Sequence, residues 1–278
     1  MTAADDHSLI IEAAATHAAT LREELRAGGQ KLVMLVDYRG TPAALKIVRV
    51  DPGATDDALK RAHREAQLLA DLTHPHIVRG LTPAVELGEP TRAICWLEEF
   101  LDGDDLRDLT GAPWAWDETF RMAHDVADAL DAMHSRSVVH RDLSTGNVRR
   151  LTTGEYKLLD PGFARHLNLS GLTGLHQPGT PGFLSPEHVQ LGAVPTYASD
   201  VFSLGVLMWL TLTGALPVAP ADPVAYVRAL ATVQIPSIAT SRPDLDVGSV
   251  AVVDRCLQRQ AARRFFDGRE VRAALDAL

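Results

Sequence analysis

The sequence predicts an α+β protein in two parts, a small strand-rich part with one helix followed by a larger, mainly helical part. Short runs rich in Val, Ile and Leu, bounded by turn residues, fill much of the first hundred positions, and such runs are typical of strands. After the acidic loop LDGDD at 101–105, apolar residues recur at helical spacing. We therefore expect the join between the two parts near 101–105.

The elements of the first part can be predicted in order along the chain. Residues 9–26 are Ala-rich with apolar residues at helical spacing, which favours a helix that ends at Gly28 and Gly29. Beyond them we expect the two strands of a hairpin, an amphipathic helix and a further strand, at 31–38, 43–50, 58–72 and 93–101.

The second part contains one long predicted helix and two short strands, at 117–136, 148–151 and 156–160, and helices dominate from 186 onward. The apolar run at 201–218, VFSLGVLMWLTLTGALPV, is nearly long enough to span a bilayer. Its Ser, Gly and Thr interruptions and its lack of basic flanks favour a buried core helix instead.

The charge balance limits the classes of partner. The formal net charge is −9, which argues against generic binding to nucleic acid or to anionic membranes. Cys95 and Cys256 lie in apolar surroundings, and we expect two buried thiols in a reducing compartment. The N-terminus carries no basic region of a signal peptide, so we expect a cytoplasmic chain. Nothing in the sequence fixes its oligomeric state.

The segment VVHRDLSTGNV at 138–148 resembles the catalytic loop of protein kinases, H-R-D-L-x-x-x-N, with Asp142 and Asn147 at the matching distance. Six further segments resemble stations of the same family in the same order: AALKI with Lys46, REAQLLADLTHPHIV with Glu65, LLDPGFAR with Asp160, GTPGFLSPE with Thr180 and Glu187, SDVFSLGVLMWLTLTG with Asp200, and RCLQRQAARRF with Arg264. The resemblance covers about 20–278, and HPHIV and SRPDLDV resemble bacterial Ser/Thr kinases in particular.

The resemblance implies a bilobal protein-kinase-like fold, with a small β-rich N-lobe that contains helix C and a larger, mainly helical C-lobe. The N-lobe would take about 20–100, the hinge about 99–104 and the C-lobe about 105–278, with 1–19 as an N-terminal helical extension. The implied activity is ATP- and Mg²⁺-dependent phosphoryl transfer to Ser/Thr hydroxyls of a protein substrate.

Within this family, the matching residues have defined roles. Lys46 would hold the α- and β-phosphates, and Glu65 would fix Lys46. Asn147 and Asp160 would hold Mg²⁺, a hard cation that prefers oxygen ligands. Asp142 would accept the proton of the substrate hydroxyl. Asp160 also precedes Pro-Gly, so its local sequence alone fits a turn; the resemblance favours the metal ligand.

The resemblance implies further positions. Residues expected around the nucleotide belong to the glycine-rich loop, the roof, the hinge, the ribose contact and the floor of the adenine pocket: Gly28, Gly29, Val33, Ala44, Glu99, Leu101, Asp105 and Arg149. Ser170, Thr173 and Thr180 belong to the activation segment; the first two are either phosphorylation sites or solvated loop residues, and Thr180 would help to shape a substrate site of the Ser/Thr type. Structural roles are expected for His140, Arg141, Glu187, Asp200 and Arg264, with Arg264 paired to Glu187.

Three departures from the family concern the phosphates. Arg26 and Lys31 stand at the outer glycines of the glycine-rich loop, although backbone contact with phosphates needs small residues; Lys31 could instead donate to a phosphate. Ser144 replaces the usual lysine near the transferred phosphate, which slows transfer unless another cation substitutes. Pro161 replaces the phenylalanine of D-F-G, so we expect less switching by an aromatic flip than is usual.

The fourth departure is a pair of charges in the adenine pocket. Glu98 aligns with the gatekeeper at the back of this pocket, and Arg149 with its usually apolar floor. Two such charges are costly beside an apolar slot unless they are paired, so we expect Glu98 and Arg149 to approach each other and to block adenine. Alternatively, Arg149 stacks on the base by a cation–π contact.

These departures leave three functions open. The complete set of Lys46, Glu65, Asp142, Asn147 and Asp160 favours a Ser/Thr protein kinase, of low or regulated activity. The departures favour a pseudokinase, a scaffold that regulates a protein partner. Because Ser144 weakens the match to protein-directed members, a kinase acting on a small molecule is the third alternative.

Overall fold

The computed structural model describes residues 3–28, 31–50, 63, 67, 71–160, 180–190, 194–219 and 222–278. The described chain divides into two compact units, one ending at Leu101 and the other beginning at Asp102. Most of the predicted helix at 58–72 and the residues Pro161 and Gly162 lie outside the described residues. The α+β class is confirmed, because strands dominate the first unit and helices the second.

The first unit contains an antiparallel five-stranded sheet in the order β1-β2-β3-β5-β4. A helix, α1 (Ala3–Thr16), precedes it. The strands are β1 (Thr20–Gly28), β2 (Lys31–Tyr38), β3 (Thr41–Arg49), β4 (Val85–Leu87) and β5 (Ala93–Glu99). The predicted hairpin and the predicted strand at 93–101 are therefore present, with ends shifted by one or two residues.

The predicted helix at 9–26 is wrong in its second half. The helix ends at Thr16, and Ala18 adopts a left-handed φ of 51° that a continuing helix does not allow. From Thr20 the chain pairs with β2, and Arg22 forms a 2.6 Å hydrogen bond with Asp37 across the two strands. Pairing with a partner strand thus outweighs the local helix propensity of LREELR.

Helix α1 covers one face of this sheet. Leu9, Ile10, Ala13 and Ala14 are buried in a core cluster with the sheet residues on that face, among them Leu45. Two polar contacts fix the same helix, Asp6 with Arg49 and Glu12 with Arg92, and His17, the next residue after it, contacts Cys95. Lys46 lies on the opposite face of the sheet, and it is buried there as well.

The second unit combines a three-stranded sheet, ordered β6-β7-β8, with a helical body. Its strands are β6 (Gly103–Asp105), β7 (Val148–Leu151) and β8 (Tyr156–Leu158). Its helices are α2 (Leu106–Leu109), α3 (Trp116–His134), α4 (Tyr197–Thr213), α5 (Pro223–Thr232), α6 (Val247–Cys256) and α7 (Gly268–Asp276). Short 3₁₀ turns at 145–147, 186–189, 238–240 and 261–263 connect them.

The apolar run predicted as a buried helix at 201–218 forms most of α4, which begins and ends earlier than predicted. The backbone N–H of Thr196 donates to Ser199 Oγ at 3.0 Å before the helix. Gly214 ends it with a φ of 74°, a conformation that favours glycine. This boundary places Asp200 in the first turn of a buried helix. In the described part of the chain, no helix has the length and apolar character to cross a membrane.

Candidate active site

The candidate residues fall into two groups, one in each unit. In the first unit, the register of β3 and β5 decides which side chains share a face. Lys46 lies opposite Trp96, and Ala44 lies opposite Glu98. Since side chains alternate along a strand, these four side chains project from the same face of the sheet.

On this face, a buried ion pair joins Lys46 and Glu98. Lys46 Nζ contacts Glu98 Oε2, and the two side chains are 5% and 4% exposed. The other carboxylate oxygen of Glu98 accepts a 2.7 Å hydrogen bond from Trp96 Nε1. Glu98 therefore has a donor on each of its two oxygens, which meets the requirement for a buried charge to be paired and hydrogen-bonded.

In the second unit, Arg149 binds the carboxylate of Asp105. Arg149 Nη1 lies 3.0 Å from Asp105 Oδ1, and Nη2 donates to the carbonyl of Gly103 at 2.5 Å. Arg107 approaches the other oxygen of Asp105 at 3.1 Å. Asp105, the expected ribose contact, therefore lies between two guanidinium groups.

The predicted pairing of Glu98 with Arg149 would join the two units and stays a prediction. Within its own unit, Glu98 takes Lys46 and Trp96 as partners, and Arg149 takes Asp105 and Gly103. Both charges are therefore paired. In each unit, strand neighbours on the same face supply the counter-charge.

Two side chains, from Asn147 and Thr180, meet at Asp142 of the catalytic loop. Thr180 Oγ1 donates to Asp142 Oδ1 at 2.6 Å. Asn147 Nδ2 donates to the carbonyl of Asp142 at 2.8 Å and to its Oδ2 at 3.2 Å. The Asp142 carboxylate is thus held on both oxygens. The Asn147 amide nitrogen faces Asp142, so its oxygen is the atom that this side chain can offer to a hard cation.

Asp200, in the first turn of α4, holds the backbone that precedes Asp142. Its two oxygens accept from the backbone N–H groups of His140 at 2.7 Å and Arg141 at 2.8 Å. Arg141 has a left-handed φ of 65°, a conformation uncommon for residues other than glycine. The buried carboxylate therefore stabilises an otherwise unfavourable turn directly before Asp142.

His134, at the end of α3, completes this network. Its Nδ1 accepts from the backbone N–H of Gly268 at 3.1 Å, so the proton belongs on Nε2, which donates to Asp200 at 3.0 Å. Burial acts to raise the pKa of Asp200, but the bonds from His134 and from the backbone of His140 lower it below its ordinary value. Asp200 is therefore held as a buried carboxylate.

The same loop fixes the backbone that leads into Asp160. Leu159 donates its N–H to the Asn147 carbonyl at 2.8 Å, and its own carbonyl accepts from His140 Nε2 at 3.2 Å. Asp160 follows with a left-handed φ of 45°. Ser144, which replaces the usual lysine, is buried, and its carbonyl accepts the N–H of Asn147 at 3.0 Å. These contacts tie the proposed metal ligands Asn147 and Asp160 to one loop.

The predicted ion pair between Arg264 and Glu187 is present, with Nη1 2.9 Å from Oε1. Arg264 also donates to the carbonyls of Ala198, Gln258 and Arg259 at 2.8, 2.6 and 2.8 Å. Burial lowers the pKa of this guanidinium, and Glu187 acts in the opposite direction. The ion pair between Arg264 and Glu187 anchors the segment 185–187 to the helical body of the second unit.

The remaining predicted positions divide into described and undescribed ones. Ala44 and Leu101 are buried, and Val33 and Glu99 are half-buried. Gly28 is the last residue of β1. Gly29, Glu65, Ser170 and Thr173 lie outside the described residues, so their predicted roles stay predictions.

Sequence reasoning missed three participants: Trp96, Arg107 and His134. The alternation in ICWLEE places Trp96 two residues before Glu98, which was a usable signal for a shared face. Arg107 stands two residues after Asp105. His134 gave no comparable signal, because 66 residues separate it from Asp200.

The fold and these two groups of side chains together define a protein kinase domain. The family model of that description matches residues 27–266, so the chain belongs to the protein kinase family. The chain is 31% identical over 231 residues to the probable serine/threonine-protein kinase PknB of Lactococcus lactis, covering 82% of this chain and 36% of that protein. It is 32% identical over 248 residues to the serine/threonine-protein kinase pkn2 of Myxococcus xanthus, covering 86% and 29%.

A solved structure gives the same result for the fold. The kinase domain of PknI from Mycobacterium tuberculosis superimposes with a TM-score of 0.70 at 25% identity, covering 93% of this chain and 95% of that one. The chain spans about a third of the length of the two curated relatives described above.

Proposed function

We propose that this domain transfers the γ-phosphoryl group of ATP to Ser or Thr hydroxyls of a protein substrate. The observation that carries the proposal is the cluster in which the side chains of Asn147 and Thr180 both donate to the Asp142 carboxylate. A general base must be held within reach of the hydroxyl proton that it accepts. The bonds from Asn147 and Thr180 limit the rotation of the Asp142 carboxylate and so orient it.

The roles of the other residues follow from charge. Lys46 would contact the α- and β-phosphates, and Asn147 and Asp160 would offer oxygens to Mg²⁺, which neutralises phosphate charge when bound. Asp105 would accept from the ribose hydroxyls, since a carboxylate has about four lone-pair sites. Thr180 supports a Ser/Thr substrate, since the resemblance places the substrate-shaping residue of the Ser/Thr branch at this position.

A second candidate function is that of a pseudokinase that regulates a protein partner. The contacts of Lys46 with Glu98 and of Asp105 with Arg149 favour it, because two expected nucleotide contacts already have partners of opposite charge. In this reading, nucleotide binding is weak or absent, and the domain acts through its surface.

Thermal-shift titration with ATP, with and without Mg²⁺, tests nucleotide binding. A ligand that binds only the folded state raises Tm by mass action. At a ligand concentration of 100 times Kd, the free energy of unfolding rises by about 2.7 kcal/mol. We expect a shift that grows when Mg²⁺ is added. No shift at millimolar ATP would support the pseudokinase.

Phosphate incorporation into the domain and into a generic protein substrate then tests transfer. We expect Asp142→Asn to retain the thermal shift and to lose incorporation. Equal incorporation by wild type and by Asp142→Asn would contradict the role of Asp142. A shift with no incorporation by wild type would indicate a nucleotide-binding scaffold.

A further inference from the structure

We propose that Glu98 is a positioning residue for Lys46 and fixes the ammonium from within the sheet. This inference rests on the proposed phosphoryl transfer. It adds to that site a carboxylate side chain carried by β5. The family resemblance gives this role to Glu65, on a helix. The geometry points to a carboxylate that stands two positions beyond the cross-strand neighbour of Lys46.

The first support is the rigidity of the carboxylate. Glu98 is bonded through one oxygen to Trp96 Nε1 at 2.7 Å and through the other to Lys46 Nζ. Trp96 lies on the same strand and the same face, and it is itself 7% exposed. The carboxylate is therefore fixed by its own strand before it meets the ammonium, as a positioning group must be.

The second support is the element that carries it. β3 and β5 are hydrogen-bonded neighbours over seven residue pairs, from Ala43 opposite Glu99 to Arg49 opposite Ala93. The separation of Lys46 and Glu98 is therefore set by strand register. A movement of the segment that carries Glu65 does not change this separation, so Lys46 keeps its place in the sheet whatever that segment does.

The third support is charge. An ammonium and a carboxylate that are both almost fully buried stabilise each other as ions. An ammonium has three donors, and the bond to Glu98 uses one of them. Glu98 can accordingly hold Lys46 while the same nitrogen contacts a phosphate oxygen.

Steady-state kinetics of Glu98→Gln, Trp96→Phe and Glu65→Gln test the proposal. Glutamine keeps the shape of Glu98 but loses its charge, and we expect kcat to fall about 10–100-fold, the cost of one charge-assisted hydrogen bond, while KM for ATP changes less than about threefold. Trp96→Phe removes only the anchor and should lower kcat by a smaller factor. Glu65→Gln should lower kcat less than Glu98→Gln does.

Two kinetic outcomes would overturn the proposal. If Glu98→Gln lowers KM for ATP and leaves kcat unchanged, Glu98 withholds Lys46 from the nucleotide and does not position it. If Glu65→Gln lowers kcat more than Glu98→Gln, the helix glutamate is the positioning residue. A merely structural role would lower Tm and the active fraction but would leave kcat per titrated active site unchanged.

A second measurement needs neither nucleotide nor activity. The chain has four lysines, and acetic anhydride at fixed pH, followed by peptide mass spectrometry, measures acetylation of Lys46 against Lys157. Acetylation requires the uncharged amine, and a bonded carboxylate favours the ammonium. We expect Glu98→Gln to raise the Lys46-to-Lys157 ratio several-fold and Glu86→Gln, an exposed acid on β4, to leave it unchanged.

The two measurements separate the two proposals. A raised acetylation ratio in a chain that transfers no phosphate would refute the phosphoryl transfer and leave the contact between Glu98 and Lys46 established. Transfer by wild type with an unchanged ratio and unchanged kcat in Glu98→Gln would refute the positioning role alone.

Discussion

Thr180 Oγ1 lies 2.6 Å from Oδ1 of Asp142, a contact between residues 38 positions apart. The bond joins the activation segment to the catalytic loop within one unit. It also gives the proposed base a neutral hydroxyl donor, which restrains the carboxylate without adding a charge. The segment and the loop are therefore linked at the Asp142 carboxylate.

Removal of this hydroxyl should impair catalysis more than folding. We expect Thr180→Val, which keeps the shape of the side chain, to lower kcat about 10–100-fold through loss of a bond to a charged group. Thr180→Ser keeps the hydroxyl and should remain within about threefold of wild type in kcat, since the bond is retained. Equal kcat values for the Thr180→Val variant and wild type would show that Asp142 needs no such restraint.

The stability contribution of Asp200 should depend on pH. Its pKa is depressed in the folded state, so its contribution is complete above the unfolded value of about 3.9 and is lost as pH falls through the folded value. We expect Asp200→Asn to lower the free energy of unfolding by roughly 3 kcal/mol at pH 7. This difference should shrink below about pH 4.

Urea unfolding from pH 3.5 to pH 7 measures this difference. Asp222→Asn is the matched control, because Asp222 caps α5 at the surface through a 2.8 Å bond to Ala225 N. Asparagine caps helices about as well as aspartate, so its cost should stay small throughout. A constant penalty for Asp200→Asn across this range would contradict the assigned ionisation.

Arg264 should be harder to replace than Glu187. Its guanidinium reaches Glu187 and three backbone carbonyls, a geometry that the single nitrogen of lysine does not reproduce. We expect Arg264→Lys to cost about 3 kcal/mol of unfolding free energy and Glu187→Gln about half of that. Arg263→Lys, at an exposed neighbour, should stay within about 0.5 kcal/mol in the same urea experiment.

Docking of α1 on the sheet should contribute strongly to stability. Leu9 is 1% exposed, whereas Ile11 on the same helix is 49% exposed. We expect Leu9→Ala to lower the free energy of unfolding by about 2–5 kcal/mol, with Ile11→Ala as a control within about 1 kcal/mol. Similar costs for both variants, measured by urea unfolding, would show that α1 does not rest on the sheet through Leu9.

Neither thiol should react in the folded chain. Burial raises the pKa of Cys95 and of Cys256 to about 12. Burial also lowers the pKa of His17, which lies 3.4 Å from Cys95, so this histidine stays neutral at pH 8 and does not stabilise a thiolate. We expect an aromatic disulfide reagent at pH 8 to titrate no thiol natively and two after denaturation. Reaction of Cys95 alone would report undocking of α1.

The sequence was sufficient where chemistry and spacing agree over a short distance. The distance from Asp142 to Asn147 located the catalytic loop, and the apolar run at 201–218 located a buried helix. The pair of Arg264 with Glu187 was also predicted, although 77 residues separate its members. In that case the family resemblance supplied a long-range contact that composition and periodicity do not contain.

One interpretation failed because pairing between strands cannot be read from local patterns. LREELR has the composition of a helix, and only its partner strand makes it a strand. The partner of Glu98 depends on the register of β3 against β5, and a shift of one residue would turn Glu98 to the other face. Which charges meet in a sheet is therefore a property of the register, and the register appears only once the sheet is assembled.

The contact of α1 with the sheet bears on how the chain folds as it is made. Glu12 and Arg92 form a 2.5 Å ion pair although 80 residues separate them. At translation rates of roughly 5–20 residues per second, α1 emerges on the order of 4–16 s before Arg92. A helix of 14 residues is only marginally stable alone. Helix α1 therefore gains this ion pair only after most of the first sheet has been synthesised.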